Sequence, residues 1–172
     1  QRFLWMRFAR IYPNHFVTLT LLVVLVGLAS LFNVNLAYSS YPWSGLPYPY
    51  TMTQTWPLTN PGTWNLPAWS IGSEWFAYVF MFPLSVILLR HLRNRWVLLG
   101  VALLLLYFEA RFYPFFEKLD YERPWAIPMV CCEFIAGSLL FGVWQQGGWL
   151  VAACQKYATW IFLAVPVFYF PV

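Results

Sequence analysis

The fold class this sequence predicts is all-α, a polytopic bundle of transmembrane helices, and three observations predict it. Of 172 residues, 61% are hydrophobic and only 9% are charged, where a soluble domain has about 25% charged residues. The apolar residues gather in runs long enough to cross a bilayer, each bounded by a basic or aromatic connection. The basic residues stand at the ends of those runs, the placement expected at a membrane surface. A soluble core of this size has no room for so much apolar surface.

The same composition narrows function. The net charge of +4 belongs to run ends, so the expected partner is the lipid bilayer and not nucleic acid. Cys131 and Cys132 are adjacent and Cys154 is alone. With only His15 and His91 and no C-x-x-C, no metal site is expected. There is no Gly-rich phosphate loop, so no bound cofactor is expected either.

About five spans are expected, the last truncated. Gln1–Pro13 carries Arg2, Arg7 and Arg10 among aromatics and reads as a basic interfacial turn, with positive-inside anchoring the simplest use of Arg2 and Arg7. Phe16–Phe32 is the first span, with Asn33 and Asn35 near the far interface. Residues 39–66 form a long connection with no charge and five prolines (Pro42, Pro47, Pro49, Pro57, Pro61). Proline disfavours helix here, and the many Tyr and Trp suit an interface or a sugar-stacking surface. Two readings stay open for it: a loop folded onto the bundle, or a loop lining an acceptor site.

Leu66–Leu89 is the second span, with a kink expected near Pro83. It holds Glu74 about two turns inside. A carboxylate facing lipid costs a few kcal/mol or more, so Glu74 must meet protein or water. Ser70, Glu74 and Tyr78 recur every four residues, which predicts one polar stripe facing the bundle interior. Arg90–Arg95 is a basic turn. Trp96 to about Phe108 is the third span, with an extension to Tyr113 that takes in Glu109 and Arg111 left open, and residues 109–124 form a charged connection. Trp125–Trp144 is the fourth span, with Glu133 inside it, where helix packing is its simplest role. Residues 145–156 connect to a fifth span from Tyr157.

Orientation follows from the basic residues. Arg2, Arg7, Arg10, Arg90, Arg93, Arg95 and Lys156 share one side, and Arg111, Lys118 and Arg123 the other, diluted by four acids. The first side is expected to be cytoplasmic, with 39–66 and 109–124 outside, in a multi-pass protein of the inner (cell) membrane. On this reading Glu74 lies toward the outer side, across the bilayer from Arg10. The chain starts at Gln1 without an initiator Met and ends at Val172 within an apolar run, so we expect an internal piece of a longer protein.

Two motifs carry a family resemblance. Arg7-Phe8-Ala9-Arg10-Ile11-Tyr12-Pro13 resembles the R-x-x-R-I-x-P stretch of the acyltransferase 3 family, integral-membrane O-acyltransferases of the O-antigen acetylase type. Asn65-Leu66-Pro67-Ala68-Trp69-Ser70-Ile71-Gly72-Ser73-Glu74 resembles that family's N-x-x-x-W-S-L-x-x-E, with Ile71 where Leu is usual. Trp75–Tyr78 and Phe82-Pro83 resemble its continuation. The resemblance implies that residues 1–172 are the middle of a larger domain. The helix with the family's catalytic His would lie before Gln1, and the C-terminal helices after Val172. His15 does not match that His, and His91 sits in a basic turn.

The family implies transfer of an acyl group, typically acetyl, from acyl-CoA to a hydroxyl of a cell-envelope glycan or lipid-linked sugar, lipopolysaccharide among them. Such a reaction needs a base and a stabiliser for the developing oxyanion. Glu74 is the candidate base, or a support for the missing His, with Ser70 and Trp69 framing it. Arg10 is the candidate donor-binding cation, since a guanidinium suits phosphate; lipid anchoring is its alternative. Arg7, Tyr78 and Asn65 are the further substrate-binding candidates. A membrane transporter is the main rival, because buried carboxylates and a Pro-bearing helix also suit transport, although no inverted repeat is visible. A non-catalytic membrane scaffold is the third reading.

Overall fold

The computed structural model describes residues 2–57, 64–117 and 126–169. Among these residues every regular element is helical. Three helices are long and apolar enough to cross a membrane: Arg2–Leu31, Trp69–His91 and Ile127–Gln145. The remaining long helices, Arg95–Glu117 and Trp149–Tyr169, stand where the third and fifth spans were expected. The expected count of five is therefore met by three among the described residues.

The first helix, α1, runs unbroken over Arg2–Leu31 and carries Pro13 inside it. This corrects the expected interfacial turn over residues 1–13. Proline removes one backbone bond and crowds the preceding turn, but α1 is held on both sides of it. Phe3 and Phe8 stack on the Trp69–His91 helix, while His15 and Leu19 are buried further along. The helix ends at Asn33, whose φ of 52° is a left-handed conformation that Asn tolerates. Val34 N–H then bonds back to the Ala29 carbonyl at 2.9 Å, closing the last turn. Leu21, Val24, Leu25 and Leu28 remain exposed, as lipid-facing positions would be.

The aromatic connection folds back along α1. After short turns at Tyr38–Ser40 and Trp43–Gly45, a four-residue helix, α2 (Pro47–Tyr50), lies against it. His15 Nε2 meets the Pro49 carbonyl at 2.7 Å, and the Thr20 and Tyr50 hydroxyls are 3.1 Å apart. Trp64 is fully buried against Leu19 and Val26, and its indole N–H donates to the Pro42 carbonyl at 2.8 Å. Contacts thus extend from His15 to Val26, about 16 Å of helix. Of the two readings left open, folding onto the bundle is the one the described residues show; positions 58–63 lie outside them. His15 is a buried mid-helix anchor.

The connection then grips the next helix. Asn65, at φ 49°, reverses the chain, and its carbonyl accepts the Ala68 N–H at 2.8 Å. Helix α3 is Trp69–Phe76. Gln54 Nε2 donates to the Ala68 carbonyl at 2.8 Å, Trp56 Nε1 to the Gly72 carbonyl at 3.1 Å, and Ser73 Oγ to Thr55 Oγ1 at 3.2 Å. Gly72 permits this approach, because a Cβ there would lie 2.7 Å from Thr55 Oγ1.

Between α3 and α4 (Phe82–His91) the helix widens into a π-type turn over Ala77–Met81, with the Phe82 N–H bonded to the Ala77 carbonyl five residues back. Pro83 is the cause: it has no N–H to give the preceding turn, and a wider turn absorbs the mismatch. Helix α5 is Arg95–Glu117 and α6 is Ala126–Gln145, so the third helix takes the extension to Tyr113 and continues over residues 114–117, which were expected in the connection. The rest of that connection, 118–125, lies outside the described residues. Leu98 and Ala102 pack on Ala136, Leu139 and Val143 to form the α5–α6 core. Helix α7 begins at Trp149. Gly147 and Gly148, at φ 64° and 95°, turn the chain so tightly that the expected connection over 145–156 shrinks to three residues.

Adding a methyl at Gly72 should therefore be costly. Gly72→Ala is expected to destabilise the folded protein by about 1–3 kcal/mol through overpacking against Thr55, read as a lowered unfolding midpoint in detergent. Gly100→Ala, where a Cβ meets nothing within 4 Å, should leave it unchanged.

Candidate functional site

The polar stripe expected on α3 is turned by the geometry of the helix. Four residues overshoot one turn by about 40°, so Ser70 and Tyr78 differ by about 80° in direction. Ser70 and Glu74 are exposed, Ser73 is buried, and Tyr78 is 6% exposed. Tyr78 reaches back one turn, as helical side chains do, and its hydroxyl donates a hydrogen bond to Glu74 Oε1. The result is a carboxyl at the edge of the bundle, held by a phenol that points inward, instead of three polar groups lining the interior.

Tyr78 is enclosed by three other groups. The Phe3 ring meets it edge-on at 5.6 Å, and the Phe134 ring does so from α6 at 6.1 Å. The Arg7 guanidinium lies 5.2 Å from its centroid and 5.3 Å from that of Phe3, a spacing at which ring quadrupole and cation attract. Arg10 is exposed but within electrostatic reach of the same hydroxyl. This overturns the expected separation of Arg10 and Glu74 by a bilayer's width. The helices α1 and α3–α4 are antiparallel and offset, Phe3 against Phe82 (3.9 Å between ring centroids) and Phe8 against Trp75 (5.9 Å). That offset puts both arginines beside the Trp75–Tyr78 turn.

The arrangement joins a proton acceptor, a hydroxyl donor and two permanent cations. A carboxylate with one oxygen fixed by Tyr78 keeps lone pairs on its other oxygen for a substrate hydroxyl. Arg7 and Arg10 offer charge-assisted donors to an anion or a developing oxyanion.

The other expected site residues fall outside this cluster. Trp69 and Ser70 are exposed at the start of α3, and among the described residues neither side chain bonds Glu74. Asn65 serves the turn into α3. The sequence reading missed Phe3 and Phe134. Phe3, Arg7 and Arg10 fall at i, i+4 and i+7, one helical face, and that signal was hidden by ending the helix at Pro13. Glu133, expected to serve packing, is exposed on α6 and shares a hydrogen bond with Glu109 of α5. His91 Nδ1 meets the Ile87 carbonyl at 2.9 Å at the end of α4. Among the described residues no group of His, Cys, Asp and Glu is placed to hold a metal ion.

Helices long and apolar enough to cross a membrane, with a carboxyl–phenol–guanidinium cluster at their contact, are the class that the described residues define. Compared with known proteins, the chain is similar to Acyltransferase MdmB of Streptomyces mycarofaciens, with 30% identity over 163 residues. The match covers 83% of this chain and 40% of that protein, so the chain spans less than half the length of the curated relative. No family model and no solved structure matches.

The Arg7–Tyr78 contact is measurable by a double-mutant cycle. Arg7→Met, Tyr78→Leu and the pair should show a coupling of about 0.5–2 kcal/mol, read from unfolding in mixed micelles. Additive effects would mean that the guanidinium is held elsewhere.

Proposed function

We propose that the protein is a membrane-embedded O-acyltransferase that moves an acyl group, typically acetyl, from acyl-CoA to a hydroxyl of a cell-envelope or exported glycan. The similarity to an acyltransferase over most of the chain carries this reading, and the two sequence motifs supply the finer assignment of donor and acceptor. Of the motifs' charged residues, Glu74 bonds the Tyr78 hydroxyl, Arg7 lies against the Tyr78 ring and Arg10 stands within electrostatic reach of it, which supports one shared site.

In this reading the acceptor hydroxyl oxygen attacks the thioester carbonyl carbon. Its proton passes to Glu74, directly or through a base that Glu74 orients. The C–O bond forms, the C–S bond breaks, and the CoA thiolate leaves and takes up a proton. Arg7 and Arg10 stabilise the negative charge that builds on the carbonyl oxygen. The protein lies in the inner membrane, with residues 90–95 on the cytoplasmic side, where acyl-CoA is made, and the aromatic connection 39–57 toward the acceptor.

Glycan acylation in cells carrying the intact protein tests it. Glu74→Gln should lower acylation by roughly 10²-fold or more, the scale of a lost general base. Tyr78→Phe, which keeps the ring packing and removes the hydrogen bond, should lower it less. Full acylation with Glu74→Gln would remove Glu74 from the site and favour the scaffold reading.

A further inference from the structure

Two cavities lie along the seam between α4 and α6. The first, of about 410 Å³, opens at the basic turn and is lined by Arg93, Gln145 and Gln146. The second, of about 520 Å³, runs deeper past Ser85 and Gly137 to Glu133 and Phe134. Leu89 lines both. Its side chain rests where a Gly142 side chain would be, so one apolar residue on a glycine separates them. From Gln145 to Glu133 they follow twelve residues of α6, about 18 Å. The inner end is walled by Phe134 and Phe82. Phe134 packs on Tyr78, and Phe82 stacks on Phe3. The cavity therefore stops one aromatic ring from the Tyr78–Glu74 pair.

We propose that this seam is the binding site for the donor's thioester arm, with the phosphates of the CoA-type head on Arg93, the arm beside Glu133, and the acylated end directed past Phe134 toward the Tyr78–Glu74 pair. The proposal rests on the acyl-transfer reading above and adds the route by which the donor enters. Three features favour a long, thin arm with an anionic head. The mouth is basic, with Arg90 and Arg93 exposed. Arg93 is the cation positioned to receive phosphate, because the Arg95 guanidinium is occupied by the Gly147 carbonyl at 3.3 Å. The sleeve is lined mainly by apolar side chains, and Gly137 faces it with nothing within 4 Å of its Cβ position. The inner end holds the Glu133 carboxyl, to which the amides of a pantetheine arm can bond and to which a hydrocarbon tail offers no hydrogen bond.

Calorimetric titration of the intact protein in nanodiscs, using S-ethyl-CoA and S-ethyl-pantetheine as non-transferring thioethers, tests the route. Gly137→Leu should weaken both ligands by roughly tenfold or more by filling the sleeve. Arg93→Ala should weaken S-ethyl-CoA by roughly tenfold and leave S-ethyl-pantetheine unchanged, since only the former carries the head phosphates. Gly100→Leu, on the opposite helix and in open space, should change neither. Arg93→Ala alters an exposed side chain, so its effect does not depend on how Gly137→Leu folds. If the unaltered protein binds S-ethyl-CoA and neither variant changes it, the seam proposal falls while acyl transfer stands. If the unaltered protein binds neither ligand, both fall. A phospholipid that co-purifies and is lost only in Gly137→Leu, with S-ethyl-CoA binding unchanged, assigns the sleeve to lipid and overturns the proposal.

Discussion

Tyr78 sits where three helices meet, and its ring is what they meet on. Phe3 and Arg7 reach it from α1, Phe134 from α6, and its hydroxyl bonds Glu74 one turn back on α3. In a bilayer, where lipid tails are as apolar as the side chains they touch, packing shape and polar contacts must supply helix association. A phenol serves both needs, with a broad face for rings and cation and a hydroxyl for the carboxyl. Remove it and Glu74 loses its described hydrogen-bond partner, Arg7 loses one of its two rings, and α1 loses an edge contact with the α3–α4 helix.

A second constraint comes from the charge-free connection. It is not slack chain at a surface. His15, Thr20 and Trp64 bind it to α1, and Gln54, Thr55 and Trp56 bind it to α3. Both helices therefore receive its backbone and side-chain bonds along an apolar stretch where unpaired polar groups would be expensive. His15 shows the cost of the arrangement. Its Nε2 is used, but its buried Nδ1 has no hydrogen-bond partner among the described residues, so the Pro49 contact sets which ring nitrogen carries the hydrogen.

The helical class and the α3–α4 span were legible because they rest on composition and on a 3.6-residue period. The inward turn of Tyr78 was not. A four-residue repeat looks like a single stripe on paper, but it drifts around the helix, and the wide turn after Ala77 adds to the drift. The meeting of Arg10 with the Glu74 region was hidden for another reason. Which residues of two antiparallel helices lie level depends on their axial offset, and that is decided by pairs such as Phe3–Phe82 and Phe8–Trp75, distant in sequence. Pro13 misled in the opposite direction, since local propensity argued for a break where tertiary packing carries the helix through.

The wide turn at Ala77–Met81 also has a bearing on how this chain tolerates change in length. It holds one residue more than an α-helical path between the same ends would need. Deleting one residue there would restore ordinary helical winding between the same ends, so Gly72 and Ser73 would stay on the aromatic connection and Ser85 and Leu89 toward α6. A deletion within the ordinary winding of α3 or α4 would instead turn everything after it by about 100°. The wide turn is therefore a place where the chain can lose a residue and keep the phase between the half of the helix that meets α1 and the connection and the half that meets α6.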